Sequence, residues 1–379
     1  LFGEIYFSCM LDFCPRAFCH KNYKYSSEFF YIMSPEKEKS IIDYIKKIAP
    51  GNSINNVVED LLGSDLGALI VIDSPELHSR RCFEGGFRIN CRFTAQKLFE
   101  LCKMDGAIII SEDMKRILYA NVLITPDHSI TSSETGTRHK AGERVAKQAH
   151  TFVIAVSERR KRTTLYLGRE RYYLKSPDEL LRDIAANLQV LEKQRDLFDE
   201  SLSNLNVLEV SDLVSAGDVC RIIQRAEMIL KISEYLKRQF IEIGKYGSIM
   251  NLRYRELTKG VEKRESEVIR DYAILSLKRT KTILQNYSFE GLIDLDSICR
   301  LILEKSIEDS INSRGFRLLS MVDLVDREVS AMVREFGGLK GILDAGEKDL
   351  EKILRGKTIT FKQELNNLTE KILEGKSVN

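Results

Sequence analysis

Apolar positions in the first half of the chain follow two alternating rhythms. Ile41, Ile42, Ile45 and Ile48 recur at helical spacing. They follow Ser34-Pro35-Glu36-Lys37-Glu38, which supplies a cap, a first-turn proline and an acid for a helix start. Ala68-Leu69-Ile70-Val71-Ile72 is a continuous apolar run between Gly67 and Pro75 and predicts a buried strand. Leu98, Leu101 and Cys102 mark a second helix that runs into Asp105-Gly106-Ala107 and a strand over Ile108, Ile109 and Ile110. Further strands are predicted over residues 117–123, 152–156 and 163–167. Helices alternating with short apolar strands over residues 34–172 predict an α/β domain with a mixed sheet.

Strands then stop. Leu181, Ile184, Leu188, Leu191, Phe198, Leu202 and Leu205 form one stripe of a long amphipathic helix. Helices over residues 222–240, 252–272 and 298–307 complete an all-α spacer covering 173–308, in which Lys193 and Arg195 are read as a solvated face. Residues 309–379 read as short helices separated by Gly315, Gly337-Gly338, Gly341, Gly346 and Gly356. Residues 1–33 follow neither rhythm and are set apart as an extension, with Met33 the expected natural start. Cys9, Cys14, Cys19 and His20 fit zinc-ligand spacing poorly, and Asp12, Arg16, His20 and Lys21 interrupt any signal-peptide core.

Length and charge narrow the functional classes. A chain of 379 residues exceeds one ordinary core, so about two or three domains are expected. Its 58 basic and 56 acidic residues nearly cancel, so any binding of nucleic acid or membrane must be local. The eight cysteines include no CxxC pair and are read as reduced thiols of a cytoplasmic protein. Apolar runs such as 68–72 fall far short of the roughly 20 residues of a membrane span, so a soluble protein is expected.

Anion-binding chemistry concentrates in Ser132-Ser133-Glu134-Thr135-Gly136-Thr137-Arg138-His139-Lys140 and the six residues that follow. Thr135 or Thr137 is placed to cap a helix whose apolar side holds Val145 and Ala149. A helix N-terminus offers free N–H groups and partial positive charge, and Arg138, His139 and Lys140 add donors that a bound phosphate chain would compensate. The alternative is a basic turn on an ordinary surface helix. Asp105 falls between helix and strand, before Gly106 and Ala107, where a ligand can approach the backbone. It suits either a divalent cation or a simple turn. Ser157 closes the strand over 152–156, a common place for a site. Gly356-Lys357-Thr358 is not a P-loop, because Glu351 stands where the loop needs glycine.

Asp105-Gly106-Ala107 and Thr135 to Lys140, together with residues 85–90 and 117–122, resemble the DNA integrity scanning family of diadenylate cyclases. The resemblance runs from about Ile48 almost to the C-terminus and includes Gln224-Arg225-Ala226-Glu227-Met228 and Arg314-Gly315-Phe316-Arg317-Leu318-Leu319. It implies an N-terminal cyclase domain, a helical spine, a C-terminal helix-hairpin-helix domain that binds branched DNA, and an octamer. Two ATP molecules, held by facing cyclase domains, would condense to cyclic di-AMP and pyrophosphate. Asp105 would be the catalytic acid and hold Mg2+ or Mn2+, with Gly106, Ile124, Thr137, Arg138, His139 and Ser157 contacting ATP.

Two departures bear on that expectation. The family's Arg-His-Arg-Thr is Arg138-His139-Lys140-Ala141 here, which replaces a guanidinium fork by a point charge and removes a hydroxyl. In the last domain one glycine, Gly356, remains of the family's Gly-x-Gly turn, and Thr358, Ile359 and Thr360 follow it; this predicts a spoiled turn and weak DNA binding. About 12 basic residues against about 11 acidic from 311 onward give DNA little general attraction. A DNA-binding scaffold with a decayed site and a nucleotide sensor without turnover stay open as alternatives, and Asp105 favours the active enzyme.

Overall fold

The run Ala68–Ile72 is strand β1, an inner strand paired on both edges and buried along its whole length because both faces of the sheet are covered there. In the computed structural model, which describes residues 35–375, α1 (Pro35–Ile48) and α2 (Ser53–Gly63) precede it. After it come α3 (Pro75–Ser79), β2 (Phe83–Glu84), β3 (Phe87–Arg92), α4 (Ala95–Cys102), β4 (Ala107–Ile110) and β5 (Arg116–Ile124). Next are α5 (Thr137–Ala149), β6 (Phe152–Ser157), β7 (Arg162–Leu167) and β8 (Glu170–Leu174). The expectations about Cys9, Cys14, Cys19, His20 and Met33 lie outside the described residues.

Strand order is β2-β5-β4-β1-β6-β7-β8, with β3 also paired to β5. Only β1 and β4 run parallel; the other pairs are antiparallel, so the sheet is mixed as expected. Leu69, Val71, Ala107, Ile109, Val153 and Ala155 face a core completed by Val145, Ala146 and Ala149 of α5. Strand alternation turns Ile70, Ile72, Ile108 and Ile154 to the opposite face, where α2 and α4 pack. Strands β3 and β8 escaped the sequence reading because exposed and half-buried residues alternate along them without a continuous apolar run.

The long helix of the spacer is α6 (Pro177–Val210), capped by Ser176, with Ile184, Leu188, Leu191, Phe198, Leu202 and Leu205 buried in a second core shared with α7 (Ala216–Ile243). The helix predicted over 252–272 is two helices, α8 (Ser248–Thr258) and α9 (Val261–Tyr272), broken at Gly260, whose φ is +77°. Arg195 is not simply part of a solvated face: it donates to the carbonyls of Leu257 (3.0 Å) and Lys259 (2.8 Å), closing the end of α8. After α10 (Leu277–Asn286) comes α11 (Leu295–Leu303), which stops short of the predicted 307 at left-handed Glu304.

A third core gathers α12 (Phe316–Leu319), α13 (Asp326–Phe336), α14 (Leu339–Leu343), α15 (Glu347–Leu354) and α16 (Thr358–Leu373). Gly341 lies within α14 rather than between helices. The turn expected to be spoiled is formed: Arg355 (φ +43°) and Gly356 (φ +93°) close it. Thr358, Ile359 and Thr360 come after the turn, as the first residues of α16, and the Thr358 hydroxyl donates to Glu351 Oε2 (2.5 Å). Their β-branching does not strain the turn, because they lie beyond it and take helical angles.

Candidate active site

Register brings the separated sequence signals to one end of the sheet. Leu69 pairs with Ala107, Ala68 with Val156, and Ala107 with Val122. The residues just before β1 and β4 and those closing β5 and β6 therefore share that end: Gly67, Asp105, Gly106, Ile124 and Ser157. Asp105 is exposed in the turn between α4 and β4 and makes no hydrogen bond or ion pair among the described residues. Gly106, at φ +90°, is packed tightly on the sheet: a Cβ there would sit 2.9 Å from the Asn121 carbonyl carbon and the Val122 oxygen. The side chain of Ile124 joins the core, and its neighbour Leu123 is 60% exposed.

Helix α5 supplies the donors. Neither Thr135 nor Thr137 caps it: the cap position is Gly136, in extended conformation and without a side-chain bond, and Thr137 is the first helical residue. Instead Thr135 Oγ1 accepts from Arg160 Nη2 at 3.1 Å. The first helical bond runs from the Lys140 N–H to the Gly136 carbonyl (2.8 Å), so the N–H groups of Thr137, Arg138 and His139 remain open to an anion.

The loop before α5 is tied to the helix it enters. Ser132 Oγ (2.5 Å) and the Ser133 N–H (3.1 Å) donate to Glu143 Oε2, and Lys147 pairs with Oε1 at 2.7 Å. Burial pushes the Glu143 carboxyl upward, but the bonds from Lys147, Ser132 and Ser133 outweigh it and hold the group below its ordinary range. Arg144 and Lys147 donate to the carbonyls of Ile130 and Thr131, each at 2.9 Å.

Arg138 reaches across the start of β1. Its Nη1 lies 1.9 Å from where a Cβ on Gly67 would be, so a larger residue there would push the guanidinium out of this position. Beyond it lies Cys102, whose thiol burial pushes up to about 12 against the opposing pull of Arg138. His139 Nδ1 lies 3.0 Å from the Tyr166 hydroxyl, which donates to Glu134 Oε1 at 3.0 Å. Arg171 Nη1 meets the same carboxylate oxygen at 3.3 Å and donates to Ser133 Oγ at 2.9 Å. His139 Nε2 is buried and has no partner among the described residues. Burial first, then Arg160 and Arg138, hold the imidazole below its ordinary value against the pull of Glu134. Ser157 Oγ accepts the Arg160 N–H at 3.2 Å and so sets the hairpin that carries this arginine.

Gly67, Glu134, Arg160, Tyr166 and Arg171 were not singled out from sequence. The basic run Arg159-Arg160-Lys161-Arg162, which follows Ser157 and Glu158, was a usable signal for Arg160. Tyr166 and Arg171 had none, since the β7–β8 register that places them opposite each other is tertiary.

Positive charge thus gathers at the open end of α5, with Arg138, Lys140 and Arg160 drawn from two parts of the chain, while a lone carboxylate stands at the neighbouring strand start. No group of three or more His, Cys, Asp or Glu side chains among the described residues is arranged to hold a metal ion by itself. A single oxygen ligand without nearby histidine or thiolate suits a hard cation such as Mg2+ or Mn2+, completed by substrate phosphates. The fold and this end of its sheet define a nucleotide-binding α/β domain. Comparison with known proteins agrees: residues 55–171 match the family described as DisA bacterial checkpoint controller nucleotide-binding, and residues 174–308 the DisA linker region. The DNA integrity scanning protein DisA of Acetivibrio thermocellus is 38% identical over 327 residues, covering 84% of this chain and 90% of the relative. Its namesake from Clostridium botulinum (Alaska E43) is 34% identical over 356 residues, covering 91% of this chain and all of the relative. The chain belongs to the DisA family, and it is a diadenylate cyclase that converts ATP to cyclic di-AMP. No helix among the described residues is long and apolar enough to cross a membrane.

Proposed function

We propose that ATP binds with its phosphates at the open end of α5, on the N–H groups of Thr137, Arg138 and His139, with Arg138, Lys140 and Arg160 around them. The gathering of these donors opposite an unpartnered Asp105 is the observation that carries the reading. Two such domains face each other, as the family resemblance implies for an octamer. The 3'-hydroxyl oxygen of one ATP bonds to the α-phosphorus of the other as the bond to pyrophosphate breaks, and the hydroxyl proton leaves to solvent. A repeat in the opposite sense closes the ring. Asp105 orients the hydroxyl and holds Mg2+ or Mn2+. When bound, that ion neutralises phosphate charge and eases loss of the hydroxyl proton. The N–H groups and cations of α5 stabilise the departing pyrophosphate.

The test is Asp105→Asn with Mn2+ and ATP, following cyclic di-AMP by chromatography and nucleotide binding separately. Product formation should fall by roughly a thousandfold or more while ATP affinity changes by less than about threefold. Loss of affinity in step with rate would remove Asp105 from the chemistry.

The relatives' name, DNA integrity scanning protein, supports a second role for the last segment. Residues 309–379 form a helix-hairpin-helix unit that grips DNA phosphate through backbone N–H groups at its turns. The binding is weak, because the charge of this segment nearly cancels and Lys357, beside the second turn, is already paired with Glu328 at 3.2 Å. Titration of the full chain with a four-way junction between about 50 and about 200 mM salt should give a shallow slope and little change in cyclase rate. Tight binding at the upper salt would overturn this.

A further inference from the structure

The line Arg171, Glu134, Tyr166, His139 runs from the edge of the sheet to the phosphate end of α5, and its hydrogens can be assigned by counting. Glu134 is buried and paired with Arg171, so it offers lone pairs only. Tyr166 has one hydroxyl hydrogen, and it goes to Glu134. The tyrosine oxygen therefore presents a lone pair to His139 Nδ1, 3.0 Å away, and that nitrogen must carry the hydrogen between them. In a neutral ring this leaves Nε2 without a hydrogen. That buried nitrogen has no partner among the described residues, and the adjoining Cδ2 lies 3.9 Å from the Cβ position of Gly136, toward the start of the helix.

We propose that Glu134 and Tyr166 are positioning residues for His139: they fix its Nδ1–H form and present Nε2 as a lone pair that takes up a proton when the ATP phosphates arrive. This rests on the reading that His139 meets those phosphates. A phosphate oxygen only accepts hydrogen bonds, so a bare Nε2 opposite it is useful only once protonated. In the free protein Arg138 on α5 and Arg160 on the β6–β7 hairpin discourage that proton, while Glu134 from the preceding loop favours it. Arg171 on β8 and Glu143 on α5 act through Glu134 and Tyr166 respectively. Bound triphosphate reverses the balance. The charged ring then donates from Nε2 to phosphate and from Nδ1 to Tyr166, with Glu134 behind it. Because the proton is held more tightly with ATP bound than without, the affinity contributed by His139 is complete below the free-state pKa and is lost as pH rises through the bound-state pKa.

Three variants test this in the full chain: His139→Gln, Tyr166→Phe and Glu134→Gln. Binding of α,β-methylene-ATP, which cannot release pyrophosphate, is measured calorimetrically at neutral pH in two buffers of different ionisation enthalpy, and imidazole 15N NMR reports the tautomer. The wild type should show the Nδ1–H form and take up a fraction approaching about one proton on binding. His139→Gln should lose the uptake and roughly tenfold in affinity. Tyr166→Phe and Glu134→Gln should each lose most of the uptake, raise KM several-fold, roughly the worth of one charged hydrogen bond, with a smaller change in kcat. An unaltered affinity in His139→Gln would reject the phosphate reading itself. Normal affinity and uptake in Tyr166→Phe, with both lost in His139→Gln, would reject the positioning role alone, as would an Nε2–H tautomer in the wild type. Tyr166→Phe removes one oxygen without changing the ring and decides the matter if Glu134→Gln does not fold.

Discussion

Lys140 and Ala141 stand where the family resemblance has arginine and threonine, and the structure separates their effects. The Lys140 side chain is half-exposed at the open end of α5 and makes no ion pair among the described residues, so it is placed to meet phosphate as a point charge. Ala141 packs against the core beneath the helix, where a hydroxyl would need a partner. Restoring both residues therefore combines a gain with a cost. Lys140→Arg alone should lower the KM for ATP by roughly two- to fivefold through forked contacts. Steady-state kinetics at fixed Mn2+ would check it, and an unchanged KM would place Lys140 outside the phosphate grip.

Between helices, the spacer buries a pair of carboxyl groups that the enzyme's chemistry does not use. Glu227 of α7 and Glu265 of α9 are close neighbours and almost wholly buried. Burial first, and the neighbouring Glu227 second, push Glu265 up to about 9, while Lys281 pulls the other way. The pair thus shares a proton at neutral pH. Since the folded-state value lies above the ordinary carboxyl value, its stabilising effect is complete below the unfolded pKa of about 4.3 and fades as pH rises toward about 9. Glu265→Gln, which keeps the shape and removes the charge, should leave Tm nearly unchanged at acid pH and raise it by about 2–4 °C near pH 9. Thermal unfolding across that range is the measurement; a parallel fall with pH in both proteins would exclude the pair as its source.

At the scale of the whole molecule, the segment Arg314 to Leu319 locks the spacer to the last core. Arg317 pairs with Glu209 at 2.5 Å with both side chains buried, and also donates to Asn206. Asp271 accepts the N–H groups of Phe316 (2.6 Å) and Arg317 (2.9 Å), while Arg314 donates to the carbonyls of Arg270 (2.8 Å) and Ala273 (3.0 Å). Tyr272 closes the network on Glu209 at 2.5 Å. Arg317→Met leaves Glu209 buried without its countercharge and should cost about 3–5 kcal/mol. Hydrogen exchange should then show α12 to α16 losing protection before the sheet does, and a compensating Glu209→Leu should recover much of the loss. Uniform loss throughout the chain would mean that the junction is not a separate unit.

The sequence by itself determined the elements whose cause is local. The uninterrupted run Ala68 to Ile72 needs burial on both faces, and the stripe from Ile184 to Leu205 needs one long helical partner. The resemblance carried Asp105, Arg138 and His139 to the site because their type and order are visible along the chain. What lay beyond reach depended on residues distant in sequence. Gly67 lies under the Arg138 guanidinium, Gly106 packs on the backbone at Asn121 and Val122, and the end of α8 is closed by Arg195. The partners of His139 likewise follow from strand register and loop anchoring: β7 and β8 bring Tyr166 and Arg171 to Glu134, and the ties from Glu143 hold the loop that carries it. Side-chain type is written in the chain, but hydrogen-bond direction, tautomer and charge environment depend on neighbours that only the folded sheet supplies.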